Sequence, residues 1–177
     1  CKENGLAAYR LIQTRDKEAG SVGSGASGQM FLQFEEEKGI FACVLTYEDN
    51  KVFCLEETDA LSKEEILNGL RNMMRDQHVL MACFDGKPDY ADLITKEDDA
   101  ALSAEKLTEY LYDCKIAAYL LNPLKNDYEI VDVANEYLNI TLADWNELFG
   151  KADLTTVYRE QRQECLDYFA REAAVLR

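Results

Sequence analysis

The chain has 177 residues, 47% of them hydrophobic and 30% charged, with 34 acidic side chains against 19 basic ones and a formal charge of −15. That balance suits one globular domain with a core that needs neither metal nor disulfide. The charge argues against a stand-alone nucleic-acid clamp and against a surface that adheres to anionic lipid. No apolar run approaches the ~20 residues of a membrane span. Residue 1 is Cys rather than Met and no signal-peptide pattern follows, so the expectation is a piece cut from a longer, cytoplasmic chain.

Residues 1–19 read as a short polar helix with Leu6, Tyr9, Leu11 and Ile12 as its apolar members. The Gly/Ser composition of 20–28 predicts a flexible linker. Residues 1–28 are therefore assigned to a linker region and 29–177 to the folded domain. Three strands are expected at 30–37, 40–47 and 51–56. Lys38-Gly39 and Glu48-Asp49-Asn50 join them as short turns, which makes an antiparallel meander. Residues 62–77 switch to helical period through Ile66, Leu67, Leu70, Met73 and Met74, and Ser62 with Glu65 forms a capping-box signature. The apolar run from His78 to Phe84 predicts a buried, central, parallel strand.

Residues 95–106 are acidic and polar, a surface loop or short helix. A last strand is expected at 108–112. Asp113 is placed to cap a helix over 114–122 that stops at Asn122-Pro123, because proline cannot continue it. Two short helices, 127–138 and 142–149, precede a single long helix over 153–177, whose Leu154, Tyr158, Cys165, Phe169, Ala173 and Leu176 share a face. This order predicts an α/β fold: a ribonuclease-H-like mixed five-stranded sheet with flanking helices.

Six cysteines stand at 1, 43, 54, 83, 114 and 165, none as Cys-x-x-Cys, and Cys43, Cys54 and Cys83 lie in apolar runs. Buried free thiols are the expectation. With one histidine, His78, multi-histidine metal sites are excluded and any catalytic triad is weakened.

Tyr112 to Pro123, YDCKIAAYLLNP, resembles a stretch of the 3′–5′ exonuclease (proofreading) domain of bacterial DNA polymerase I. There an Asp opens a helix carrying Ala-x-Tyr-Leu-Leu-x-Pro. Asp132 to Ile140, DVANEYLNI, is similar to the Leu-Ala-x-x-Tyr-Leu segment that follows. Tyr168 to Ala173 looks like the family's last motif, Tyr-x-x-x-Asp. The likeness covers residues 28–177. It implies phosphodiester hydrolysis with two divalent ions, Mg2+ or Mn2+, held by carboxylates. It also implies a polymerase domain of the same chain as partner, DNA reached through the full-length protein, a monomeric isolated domain and no membrane. Residue by residue, Phe34-Glu35-Glu36-Glu37 matches the first motif, Phe-Asp-x-Glu. Asp85 and Asp89 match the Asn and Asp of the second, and Tyr168 and Glu172 the Tyr and Asp of the third. The family-equivalent catalytic positions are thus Glu35, Glu37, Asp89, Tyr168 and Glu172.

The departures point to lost turnover. Glu35 and Glu172 stand where the family has Asp, each one methylene longer, and Asp85 stands where it has Asn. Mg2+ requires ligands at about 2.0–2.1 Å, and a misplacement of about 1 Å costs on the order of 100-fold in rate. Only Lys38 and Gly39 separate Glu37 from the next strand, and no basic, aromatic groove for a single strand is visible. The resemblance therefore implies a degenerate, structural domain with no cofactor bound. Its vestigial carboxylates would be hydrated or paired with basic residues, of which Arg171 and Lys38 are nearest in sequence. Two other readings stand beside it. One is an active two-metal exonuclease, with Glu35, Glu37, Asp89 and Glu172 as ligands and Tyr168 orienting the water. The other is an unrelated acidic α/β interaction domain.

Overall fold

The computed structural model describes residues 5–14, 39–48, 51–75, 78–94 and 109–177. Five strands form one mixed sheet: β1 (Leu6–Gln13), β2 (Phe41–Glu48), β3 (Lys51–Glu56), β4 (Leu80–Cys83) and β5 (Leu111–Asp113), in the order β3-β2-β1-β4-β5. β1 and β2 pair antiparallel, as do β2 and β3, while β4 runs parallel to both β1 and β5. This is the mixed five-stranded, ribonuclease-H-like sheet with flanking helices expected from the order of elements.

The first strand corrects the expectation. Leu6–Gln13 is not a polar helix but the central strand, with Ala7, Ala8, Tyr9 and Ile12 buried. Both faces of β1 are covered, so its residues lack the alternation that marks a half-buried strand. The sheet thus draws on residues ahead of Gly28, where a linker and then a domain start were expected. The strand expected at 30–37 lies outside the described residues, and so does the segment 95–106. Residues 14–40 separate β1 from β2 in the chain.

Helices α1 (Lys63–Arg75) and α2 (Lys87–Leu93) cover one face. Ile66, Leu67, Leu70 and Met74 of α1 join Tyr9, Cys43, Met81 and Cys83 in one core cluster. Ser62 and Glu65 close the capping box that the sequence predicts: the Ser62 amide donates to the Glu65 carboxylate at 2.8 Å, and the Glu65 amide donates back to the Ser62 hydroxyl at 3.3 Å. The seven-residue α2 had no counterpart in the sequence reading.

The other helices are α3 (Cys114–Leu121), α4 (Ile130–Leu138), α5 (Trp145–Phe149), α6 (Leu154–Glu160) and α7 (Arg162–Leu176). α7 packs across β1, β2, β3 and β4 and buries Cys165, Phe169 and Ala173 against Ile12, Ala42 and Val44. The expected single helix over 153–177 is two helices, broken at Gln161 (φ −133°, ψ 51°). Glu56, at the end of β3, accepts from Tyr158 before the break and from Arg162 after it, and so holds both sides. No helix among the described residues is long and apolar enough to cross a membrane.

Cys43, Cys83 and Cys165 are buried free thiols, Cys114 is half-buried, and Cys54, expected inside, is exposed on the edge strand. β3 is the outermost strand of the sheet, and its first four residues, Lys51 to Cys54, are all exposed.

Candidate functional site

β1, β4 and β5 run parallel and end on the same edge of the sheet, where α2 and α3 begin. Asp113, the last residue of β5, organises that edge. Its Oδ1 accepts from the amides of Lys115 (2.9 Å), Ile116 (3.4 Å) and Asp85 (3.2 Å), and its Oδ2 from the amide of Gly86 (2.9 Å). One carboxylate therefore caps α3, as the sequence predicts, and also ties down the turn between β4 and α2. In that turn Asp85 has φ 55°. A Cβ at Gly86 would lie 2.5 Å from the Cys83 sulfur, so only glycine fits this close approach. Asp85 is an exposed turn residue, paired with Lys115 at 3.0 Å.

The turn delivers Asp89 on α2. The helix is fixed at its far end by buried Arg71, whose Nε and Nη2 donate to the carbonyls of Leu93 (3.0 Å) and Asp92 (2.6 Å). These satisfy carbonyls that a helix C-terminus leaves open. Burial pushes the Asp89 carboxyl up to about 6, against the pull of the Arg10 charge and the Tyr9 hydroxyl. Tyr9, 1% exposed, keeps its hydroxyl buried beside Cys83 and Asp89. Burial, and then the charges of those neighbours, raise its pKa well above the usual phenol range.

On the opposite face of β1, Glu172 of α7 is buried. Its Oε2 accepts from Arg10 Nε at 2.7 Å, and Arg10 Nη1 donates to the Phe84 carbonyl, also at 2.7 Å. The guanidinium thus joins the middle of β1, the end of β4 and α7. One turn before Glu172, Tyr168 packs edge-on against Trp145 and Phe169 at centroid distances of 5.3 and 5.2 Å. Burial, then the Glu172 carboxylate, raises the Tyr168 hydroxyl above its usual range, while Arg10 opposes the shift. Val131, Leu142, Ala143 and Leu148 line a shallow dent beside Tyr168, Arg171 and Glu172.

Three of the five sequence-predicted positions, Asp89, Tyr168 and Glu172, therefore gather around Arg10. Glu35 and Glu37 lie outside the described residues. The strand that carries the first motif in the resemblance was expected at 30–37; the first strand of the sheet is Leu6–Gln13. Its positions facing α7 include Arg10 and Ile12, not carboxylates. The basic partner of Glu172 is Arg10, 162 residues away in sequence, where Arg171 and Lys38 had been singled out as nearest.

Among the described residues no group of three or more His, Cys, Asp or Glu is placed to hold a metal ion. A two-metal centre needs carboxylates converging on cations about 3.5–4 Å apart. Among the described residues the Arg10 guanidinium is paired with Glu172 at 2.7 Å, and its charge also acts on Asp89. Sequence reasoning missed Arg10 and Tyr9. The available signal was an arginine inside the run LAAYRLI, because a charge in a buried strand requires a partner.

No protein-family model matches the chain, and no curated protein matches it. Two solved structures of Brucella melitensis NrnC, one bound to pGG and one with bound Mg2+, are similar in structure, with TM-scores of 0.57 and 0.55. Each is 12% identical to this chain, and the match covers 98% of this chain and 69% of theirs. At that identity the likeness is one of fold.

Proposed function

We propose that this chain is a 3′–5′ exonuclease-like domain of a DNA polymerase I that keeps the ribonuclease-H-like fold, has lost turnover, and serves as a structural platform beside the polymerase domain in the cytoplasm. One observation carries the loss of turnover: Arg10 is ion-paired to Glu172 at 2.7 Å and acts on Asp89. The internal cation relieves the repulsion among carboxylates that would otherwise favour a bound metal. The resemblance of Tyr112–Pro123 and Tyr168–Ala173 to the polymerase family supports the parent protein. The sheet order and the NrnC likeness support the exonuclease-type fold.

The test is digestion of a 5′-labelled single-stranded DNA and of pGG, each with Mg2+ and with Mn2+, beside an active exonuclease. The expected outcome is no shortening of either substrate. Metal-dependent nucleotide release that Glu172→Gln abolishes would overturn the proposal. It would establish the second reading, an active two-metal nuclease, which the Mg2+ and pGG bound to NrnC favour.

A further inference from the structure

Helix α3 has the composition of a buried helix and the position of an exposed one. Seven of its eight residues, CKIAAYLL, are apolar, yet only Ala118 is buried. Its packing is chiefly against α4, with Tyr119 set edge-on to Tyr128. Ile116, Tyr119, Leu120, Leu121 and Leu124 are each more than half exposed, Leu120 at 72% and Leu124 at 92%. Ile116, Tyr119 and Leu120 follow the i, i+3, i+4 spacing of one stripe. A helix that is apolar on all sides is normally enclosed. Five such side chains within nine residues make a patch on the order of 500 Å2, the size that marks interaction sites on soluble proteins.

The rim shows what can cover it. Lys115 is bonded to Asp85, with Glu129 and Asp127 adding to the field around it; Lys125 is bonded to Glu136, with Asp132 nearby. Among the described residues these two lysines are set against five carboxylates, so this part of the rim is net negative and both lysines are engaged. A second copy would bring two such rims and two chains of charge −15 together, and an anionic leaflet would repel the same edge.

We propose that the outer face of α3 is a docking surface for a protein partner whose own contact is apolar at its centre and edged with lysine and arginine. Apolar burial supplies the attraction, and the opposite charges of the rims set register and exclude like-charged competitors. The exposed side chains of α3 take no part in the Arg10–Glu172 pair, so the inference does not depend on whether the chain hydrolyses nucleic acid.

The probe is a labelled synthetic amphipathic helix, leucines on one face and lysines on the other, with a twin in which glutamate replaces every lysine. Binding to the chain is read by fluorescence anisotropy at about 0.15 M salt. The leucine/lysine peptide is expected to bind at least about 100-fold more tightly than its twin, and Leu120→Ser/Leu124→Ser to weaken it about tenfold or more. The substituted side chains are exposed, so the melting curve should not move, which separates lost docking from lost folding. Asp127→Asn/Asp132→Asn should weaken binding and flatten its salt dependence while keeping the apolar contribution. Absence of peptide binding would overturn the proposal, as would binding indifferent to the leucine substitutions. A sedimenting dimer that Leu120→Ser/Leu124→Ser converts to monomer would assign the face to a second copy, and binding to zwitterionic vesicles would assign it to lipid.

Discussion

Arg10→Ala is the most informative single change, because Arg10 bonds both the Glu172 carboxylate and the Phe84 carbonyl. The Glu172 side chain is 4% exposed and that of Arg10 22%, so the pair is largely out of water. Removing one partner of a buried pair costs about 3–5 kcal/mol, since it strands the other charge. The Phe84 carbonyl loses its 2.7 Å donor as well, which by itself is worth about 1 kcal/mol. Arg10 is partly open to solvent, and water entering the vacated volume can hydrate Glu172, so the lower end applies, about 3 kcal/mol in all. For a chain of this size that is a fall in Tm of about 6–12 °C. The assay is urea and thermal unfolding of five proteins: the parent, Arg10→Ala, Arg10→Met, Glu172→Met and Arg10→Met/Glu172→Met. Replacing both members by apolar side chains removes the stranded charge, so the double variant is expected within about 1 kcal/mol of the parent. The reasoning is refuted if Arg10→Ala changes stability by less than about 0.5 kcal/mol, or if the costs of the single changes simply add in the double variant.

Three further outcomes follow from the same edge of the sheet. Asp89 has its folded pKa raised to about 6 by burial, so the folded state binds the extra proton between the ordinary carboxylate range and that value, and stability falls as pH rises through that window. Asp89→Asn should abolish this slope and stabilise the protein at pH 8 by about 1–3 kcal/mol relative to the parent, as read from urea midpoints across pH; a slope unchanged in the variant contradicts it. Asp113→Ala frees four amides at once and should cost about 2–3 kcal/mol, with hydrogen exchange accelerated at Asp85, Gly86, Lys115 and Ile116 before the strands; protection retained at Gly86 would show that the turn does not depend on it. Gly86→Ala drives a methyl into the Cys83 sulfur and should cost about 1–3 kcal/mol, most of it recovered by adding Cys83→Ala; failure of that second change to restore the melting temperature would place the strain elsewhere.

Where an element is patterned by its own neighbours in the chain, the sequence determined it. β2, β3, α1 and β4 appear within a few residues of their expected positions, because a switch from strand to helical period is a local property. The Ser62–Glu65 box and the Asp113 cap are local too, each a side chain bonding to amides two or three residues away. The Tyr168–Glu172 pair on one helix face follows in the same way from i, i+4 spacing. β1 escaped because it is enclosed on both faces. Leu6, Tyr9, Leu11 and Ile12 are all consistent with a helix until β2 and β4 are known to flank them. The break at Gln161 escaped as well, since it is held by Glu56 from the edge strand, more than a hundred residues earlier. What the tertiary structure alone decided is the character of the site. Asp89 and Glu172 read as ligands by their spacing and type, but a guanidinium that enters from β1, 162 residues from its carboxylate, leaves no periodic trace. Ion pairing depends on distance in space, and only the folded sheet brings Arg10 to the place where the carboxylates meet.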